Sequence, residues 1–215
     1  IPREVTSAIS SAANPNILIN QGEGLQIQEN HGPININLND QSLAKLLSSM
    51  FGVAPASVTV THALEWASLC RTHYCLFVLE NEEYKDGVFS IAKDRSLQKY
   101  TPQNVRRRYK NICPETIAEL RQMPCIFAKR NMYYKRTEEY HPFLVGRIRD
   151  IIPQGESIKI YFCGFQAISQ QLLNQNIKSL GMVSAALRNE LDEEHWSIKE
   201  CDLPGVFASL DIEIK

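Results

Sequence analysis

At 215 residues the chain has room for one large or two small domains and should bury roughly 70% of the surface exposed on unfolding, so its stability requires no disulfide framework. With 44% apolar and 22% charged residues it is globular rather than disordered, and its longest apolar stretch, near His62 to Leu79, is interrupted by Glu65, Arg71 and His73, short of the ~20 residues of a membrane span. The net charge of −1 conceals an asymmetry: Lys93 to Arg149 holds fourteen Lys/Arg against five acids, a charge of +9 that leaves −10 on the remainder. Such a segment marks either a footprint for a polyanion or the complement of an acidic surface in the same or another chain.

The chain opens on Ile1 without a charged n-region or apolar h-region and reads as a fragment or processed product. Residues 1–39 are rich in Asn, Gln, Ser and Gly. Alternating apolar and polar residues at 17–19, 25–27 and 34–38, separated by glycines and Pro33, predict three short strands forming an arm or connector that pairs with another layer or chain. From Asp40, a candidate N-cap, Leu43, Leu46, Leu47 and Met50 recur at helical spacing up to Gly52. Ser57 to Val60 then reads as a strand, Ala63 to Thr72 as a helix, and Tyr74 to Glu80 as a strand joined through Asp86-Gly87 to Val88 to Ala92 in a hairpin. Thr101-Pro102 starts a helix over Gln103 to Lys110, a second helix covers Pro114 to Gln122, and Pro124 ends it. Strands follow at Cys125 to Ala128, Phe143 to Ile151 and Ser157 to Phe162. The tail reads as helix around Ile168 to Leu173 and Val183 to Leu191, a short strand from His195 to Glu200, and a final helix capped by Asp202. The fold expected is α+β: a mixed small sheet or partial barrel packed with helices, comprising a domain over 40–215 preceded by the arm.

Two groups in the basic segment carry binding chemistry. Arg106, Arg107, Arg108 and Lys110 form the densest run, with Val105, Tyr109 and Ile112 on the buried side of their helix; consecutive residues step about 100° apart, so these cations cannot all face one ligand. Lys129, Arg130, Tyr133, Tyr134, Lys135 and Arg136 interleave cations with aromatics in a loop, the combination with which single-stranded nucleic acid is held at phosphate and base. The same chemistry is that of a solvated helix face and a strand-connecting loop. Gln103 to Gln122 also has the outline of a helix-turn-helix, presenting Thr116, Glu119, Arg121 and Gln122, but lacks a tight glycine turn and sets an acid toward phosphate.

Other chemistries find less support. Cys70, His73 and Cys75 form the closest metal-like cluster without a second ligand pair at zinc spacing, so no metal or other cofactor is expected. The six cysteines lack framework spacing and read as reduced thiols of a cytoplasmic protein. Neither a Gly-x-Ser-x-Gly elbow nor a phosphate-binding Walker loop is present. Asp150, Glu156 and Lys159 are candidates for a nuclease site, yet Glu156 and Lys159 at odd separation fall on opposite strand faces. The run Glu190, Asp192, Glu193, Glu194 reads as a solvated helix end, and Trp196 with Ile198 should enter the core while His195 and Lys199 share the other face.

The Asn/Gln/Gly strand repeats, followed by Pro124-Cys125-Ile126-Phe127, Val145-Gly146-Arg147-Ile148 and His195-Trp196-Ser197-Ile198-Lys199, resemble accessory modules of bacterial anti-phage defence proteins. That resemblance implies a sensing or regulatory part of a larger chain and carries no family active site. The expectation is a non-catalytic cytoplasmic binding or regulatory module, with nucleic acid or another polyanion as ligand and a protein partner or self-association through the arm. The alternatives are a metal-dependent nuclease or other nucleic-acid hydrolase, and a structural oligomerisation domain.

Overall fold

A computed structural model of the chain describes residues 16–19, 25–28, 56–80, 82, 84–138 and 140–215. The chain divides into two compact units, 1–54 and 55–215. In the first, β1 (Asn16–Ile19) and β2 (Leu25–Gln28) form an antiparallel hairpin, with Ile17 opposite Ile27. The third strand expected at 34–38 and the helix expected from Asp40 lie outside the described residues.

The second unit is α+β and is built on one open, mixed sheet. Its strands are β3 (Tyr74–Leu79), β4 (Val88–Ala92), β5 (Pro124–Lys129), β6 (Pro142–Gln154), β7 (Ser157–Ser169) and β8 (His195–Lys199), in the order β4-β7-β6-β5-β3-β8. Only β3 and β5 are parallel neighbours. Tyr74 to Leu79 is buried throughout, which explains its unbroken apolar run: a strand covered on both faces has no polar side. Cys75, Phe77 and Leu79 enter one core, and Tyr74, Leu76 and Val78 the other.

Helices cover both faces. On the first, α2 (Gln103–Tyr109) and α3 (Pro114–Leu120) pack Val105, Tyr109 and Leu120 against an aromatic cluster in which Phe77 stacks on Phe127 at 5.3 Å and on Trp196 at 5.2 Å. On the second, α1 (Ala56–Ala67), α4 (Gln171–Gln175) and α5 (Leu203–Ser209) bring in Trp66, Leu173, Leu203 and Phe207. As expected, Trp196 and Ile198 enter the first core, and Asp202 caps α5 by accepting a hydrogen bond from Gly205 N at 2.9 Å.

Four expectations are corrected. Ser57 to Val60 is helical, being the first turns of α1, so its β-branched Val-Thr-Val-Thr run is overridden by context. β3 and β4 do not form a hairpin, because β7, β6 and β5 stand between them. Residues 183–191 are not an α-helix; they form a bridge between Ser184 and Asn189 and a 3₁₀ turn at Glu190–Asp192. Ile168 closes the long strand β7 rather than starting a helix.

β6 and β7, of 13 residues each, form a long hairpin with a register shift between Val145 and Gly146. There the backbone of β7 approaches so closely that a Cβ on Gly146 would overlap the carbonyl oxygen of Cys163, whereas one on Gly164 would meet only the flexible end of Leu144, at 3.4 Å. Gly146→Ala should therefore lower the unfolding free energy by about 1–3 kcal/mol, the usual cost of overpacking. Urea denaturation checks this, with Gly164→Ala as the milder comparison; equal losses would place the constraint elsewhere.

Candidate anion-binding cleft

Part of the basic segment is paired with the chain's own acids: five of its fourteen cations lie within 4.0 Å of a described carboxylate. Arg95 pairs with Glu194, Lys99 with Glu193 (2.6 Å), and Arg130 with Glu80 (2.7 Å). Arg108 holds Glu119 through two hydrogen bonds, at 2.8 and 2.9 Å. Arg147 Nε lies 3.2 Å from Glu65, without hydrogen-bond alignment. Glu193 and Glu194 of the acidic run are thus specific partners of the basic segment rather than a solvated helix end. Lys93, Arg107 and Lys110 have no ion pair among the described residues, and all three line one cleft.

The helical step of α2 sorts its cations. Val105 and Tyr109, four apart, point into the core. Arg108 turns toward α3 and Glu119. Arg106 turns toward the segment 96–101, where Nη2 bonds the carbonyls of Gln98 and Thr101, the latter at 3.5 Å. Arg107 and Lys110, three apart, share the remaining face and line a cleft of about 780 Å³. Lys93, in the 3₁₀ turn after β4, and Pro153 and Ile158, from the β6–β7 hairpin, complete the cavity. No acid contributes to its lining. Arg106 also lines it, and its buried Nε has no hydrogen-bond partner. Arg106 is therefore first a clasp between α2 and the segment 96–101, rather than the free phosphate contact its place in the run implied.

The aromatic loop lies elsewhere. Tyr133 and Arg136 exchange backbone hydrogen bonds (3.0 and 3.1 Å) across a tight turn with Lys135 at φ +60°. Asp192 fixes the turn by accepting from Lys135 N at 2.9 Å, and Asn131 Nδ2 bonds Asp192 at 2.7 Å and Asn174 at 3.0 Å. Arg130, Tyr133 and Tyr134 line a second cavity of about 510 Å³, where the Arg188 guanidinium lies 4.9 Å from the Tyr134 ring centre. Lys129, Lys135 and Arg136 line neither cavity. This loop leads from β5 into the start of β6, while Pro153 and Ile158 flank the far turn of the hairpin; ten residues of strand, about 30 Å, separate the two ends. The ten residues singled out in the sequence therefore do not form one patch.

The other candidates disperse. Thr116 Oγ1 accepts from Cys113 N at 2.9 Å, and Glu119 accepts from Tyr109 Oη at 2.8 Å as well as from Arg108, so α3 offers neither for reading bases. Cys75 is buried in β3 opposite Cys125, whereas Cys70 and His73 both contact Thr72; among the described residues no three His, Cys, Asp or Glu are placed to hold a metal ion. All six cysteines are free thiols, but only Cys75 and Cys125 are fully buried. Lys159 extends over the Tyr161 ring, 5.5 Å from its centre.

One cluster escaped the sequence reading. Glu190 is completely buried, and its Oε1 faces His195 Nε2 (3.0 Å), Ser197 Oγ (3.0 Å) and Lys199 Nζ (2.5 Å), alternate residues of β8, while Oε2 accepts from Val183 N (2.9 Å). Lys199 Nζ also bonds the Tyr100 carbonyl at 2.8 Å. The only signal in the sequence was the His-x-Ser-x-Lys alternation, which shows one polar face without naming the acid that meets it. His195, Ser197 and Lys199 are buried as well, so the cluster is shielded from solvent. Comparisons of the chain with protein-family models, curated proteins and solved structures find no match.

Burial alone would raise the Glu190 pKa, but the donors from His195 and Lys199 hold it below its ordinary value. The carboxylate's contribution to stability is therefore present above the unfolded pKa of about 4.3 and is lost as pH falls below it, through the folded pKa. Urea midpoints at pH 7 and pH 3 should differ less for Glu190→Gln than for the wild type. Lys199→Met, which leaves a buried charge short of a partner, should cost about 3 kcal/mol at pH 7.

Proposed function

We propose that this chain is a non-catalytic binding module that holds nucleic acid or another phosphate-bearing polyanion in the cleft between α2 and the β6–β7 hairpin. One observation carries the reading: Lys93, Arg107 and Lys110, none of which has an ion pair among the described residues, line one cavity to which no acid contributes. Cations in such a hollow raise the local potential and draw anions toward it. A sensing or regulatory role within a larger chain is what the resemblance to accessory modules of bacterial anti-phage defence proteins implies, and a polyanion ligand suits such a role. The alternative reading as a hydrolase has less support, since the lining of the cleft includes no carboxylate to position a metal or activate water.

Titration of a fluorescent single-stranded oligonucleotide at several salt concentrations tests this. Affinity should fall steeply with salt, and Arg107→Gln with Lys110→Gln should flatten the log–log slope by about 1.4, since each lost phosphate contact on a single strand removes ~0.7. Lys135→Gln with Arg136→Gln should leave the slope unchanged. The reverse pattern would move the site to the aromatic loop, and a lack of binding at low salt would contradict the reading.

A further inference from the structure

The lining of the cleft mixes cationic, amide and apolar residues, more than a site for bare phosphates would need. Lys93, Arg107 and Lys110 contribute cationic side chains to it. The rest includes an apolar surface from Leu97, Ile112, Pro153 and Ile158. Leu97 and Ile158 are buried and Ile112 is half-buried, so their apolar faces are presented by the packed core. The side-chain amides of Gln98, Gln103 and Asn111 also reach the cavity; each offers both a donor and an acceptor, and no hydrogen bond to a described residue consumes them. The volume of about 780 Å³ falls within the usual 300–1,000 Å³ of small-molecule sites.

Resting on the anion-binding reading, we propose that the cleft's own ligand is a nucleotide, a nucleoside di- or triphosphate. Its phosphates lie on Lys93, Arg107 and Lys110. Its base lies against the apolar surface of Ile112, Pro153 and Ile158, with its polar edge read by Gln98, Gln103 or Asn111. Each half of the molecule meets matching chemistry: the cations offset the phosphate charge, and the apolar surface takes the face of the base out of water.

The wall is held in place independently of any ligand. Leu97 adopts φ +55°, a left-handed conformation costly for a branched residue, and is fixed by its N–H bond to the Trp196 carbonyl at 2.7 Å. Arg106 clasps the same segment at Gln98 and Thr101. The backbone that carries Gln98 is thus held at both ends, which suits recognition of a small ligand better than passage of a polymer.

Calorimetric titration of the full chain with ATP, GTP, CTP and UTP, and with inorganic tripolyphosphate, tests the proposal. At least one nucleotide should bind at least tenfold more tightly than tripolyphosphate. Arg107→Gln with Lys110→Gln should weaken both ligand types tenfold or more, while Ile112→Ala should weaken the nucleotide and leave tripolyphosphate unchanged. A circular dichroism spectrum and melting curve matching the wild type establish that each variant is folded; were Ile112→Ala to fail this check, Pro153→Gly, exposed on the hairpin, would take its place. Equal affinity for tripolyphosphate and every nucleotide would overturn the nucleotide assignment and leave the anion cleft standing. Binding of the oligonucleotide without any nucleotide would overturn it in favour of a polymer. Absence of binding by all of these ligands would overturn both readings.

Discussion

Glu190 is the constraint on which the working edge of this fold depends. A carboxylate removed from water is costly unless its oxygens are fully occupied, and here His195, Ser197, Lys199 and Val183 N occupy them. Meeting that demand sets the register of β8 against the 3₁₀ turn that carries Glu190. Lys199 passes the constraint on through the Tyr100 carbonyl, and Ile198 N does so through Thr101 Oγ1. Leu97 is tied to Trp196, and Arg106 links Gln98 and Thr101 to α2. The cleft wall is thus connected to a buried charge on the opposite face of the sheet by consecutive hydrogen bonds, and the positions of Arg107 and Lys110 follow from it.

The same edge shows how a chain of near-zero net charge arranges a strongly charged segment. Glu193 and Glu194 follow directly from the Glu190 turn and take Lys99 and Arg95. Arg108 is taken by Glu119 and Arg130 by Glu80. These pairs are largely exposed, and each adds little to stability. Their consequence is electrostatic: they offset part of the positive charge of the segment, while Lys93, Arg107 and Lys110 keep theirs at the cleft. Net charge alone could not reveal this, since it depends on which cations find partners.

What was legible in the sequence follows the range of the interactions. The strands at Cys125 and Phe143, the helices after Pro102 and Cys113, and the Asp202 cap rest on local pattern and capping, and they appear within a few residues of expectation, whereas the strand from Ser157 runs on to Ser169. The alternation in His195 to Lys199 placed Trp196 and Ile198 in the core. Ser57 to Val60 misled because β-branched residues favour strands only when the surroundings allow one, and here the segment is the start of α1. The β3–β4 pairing misled because a turn signal at Asp86-Gly87 says nothing of three strands inserted later in the chain. Glu190 was invisible for a related reason: an acid in a row of acids looks solvated, and its burial depends on three residues of a strand that only the fold brings to it. Of the candidate site, the helical step already showed that Arg106 to Lys110 would diverge, but not that Arg107 and Lys110 would be the pair left facing a cavity.

The central claim is that the anion sits at α2 and the hairpin tip rather than at the aromatic loop. Backbone amide chemical-shift mapping during titration with a phosphate-bearing ligand tests it most directly. The account predicts shifts concentrated at Lys93, Gln98, Arg107, Lys110 and Asn111, with Tyr133 to Arg136 silent. Shifts centred on Tyr133 to Arg136, or spread evenly over the surface, would contradict it.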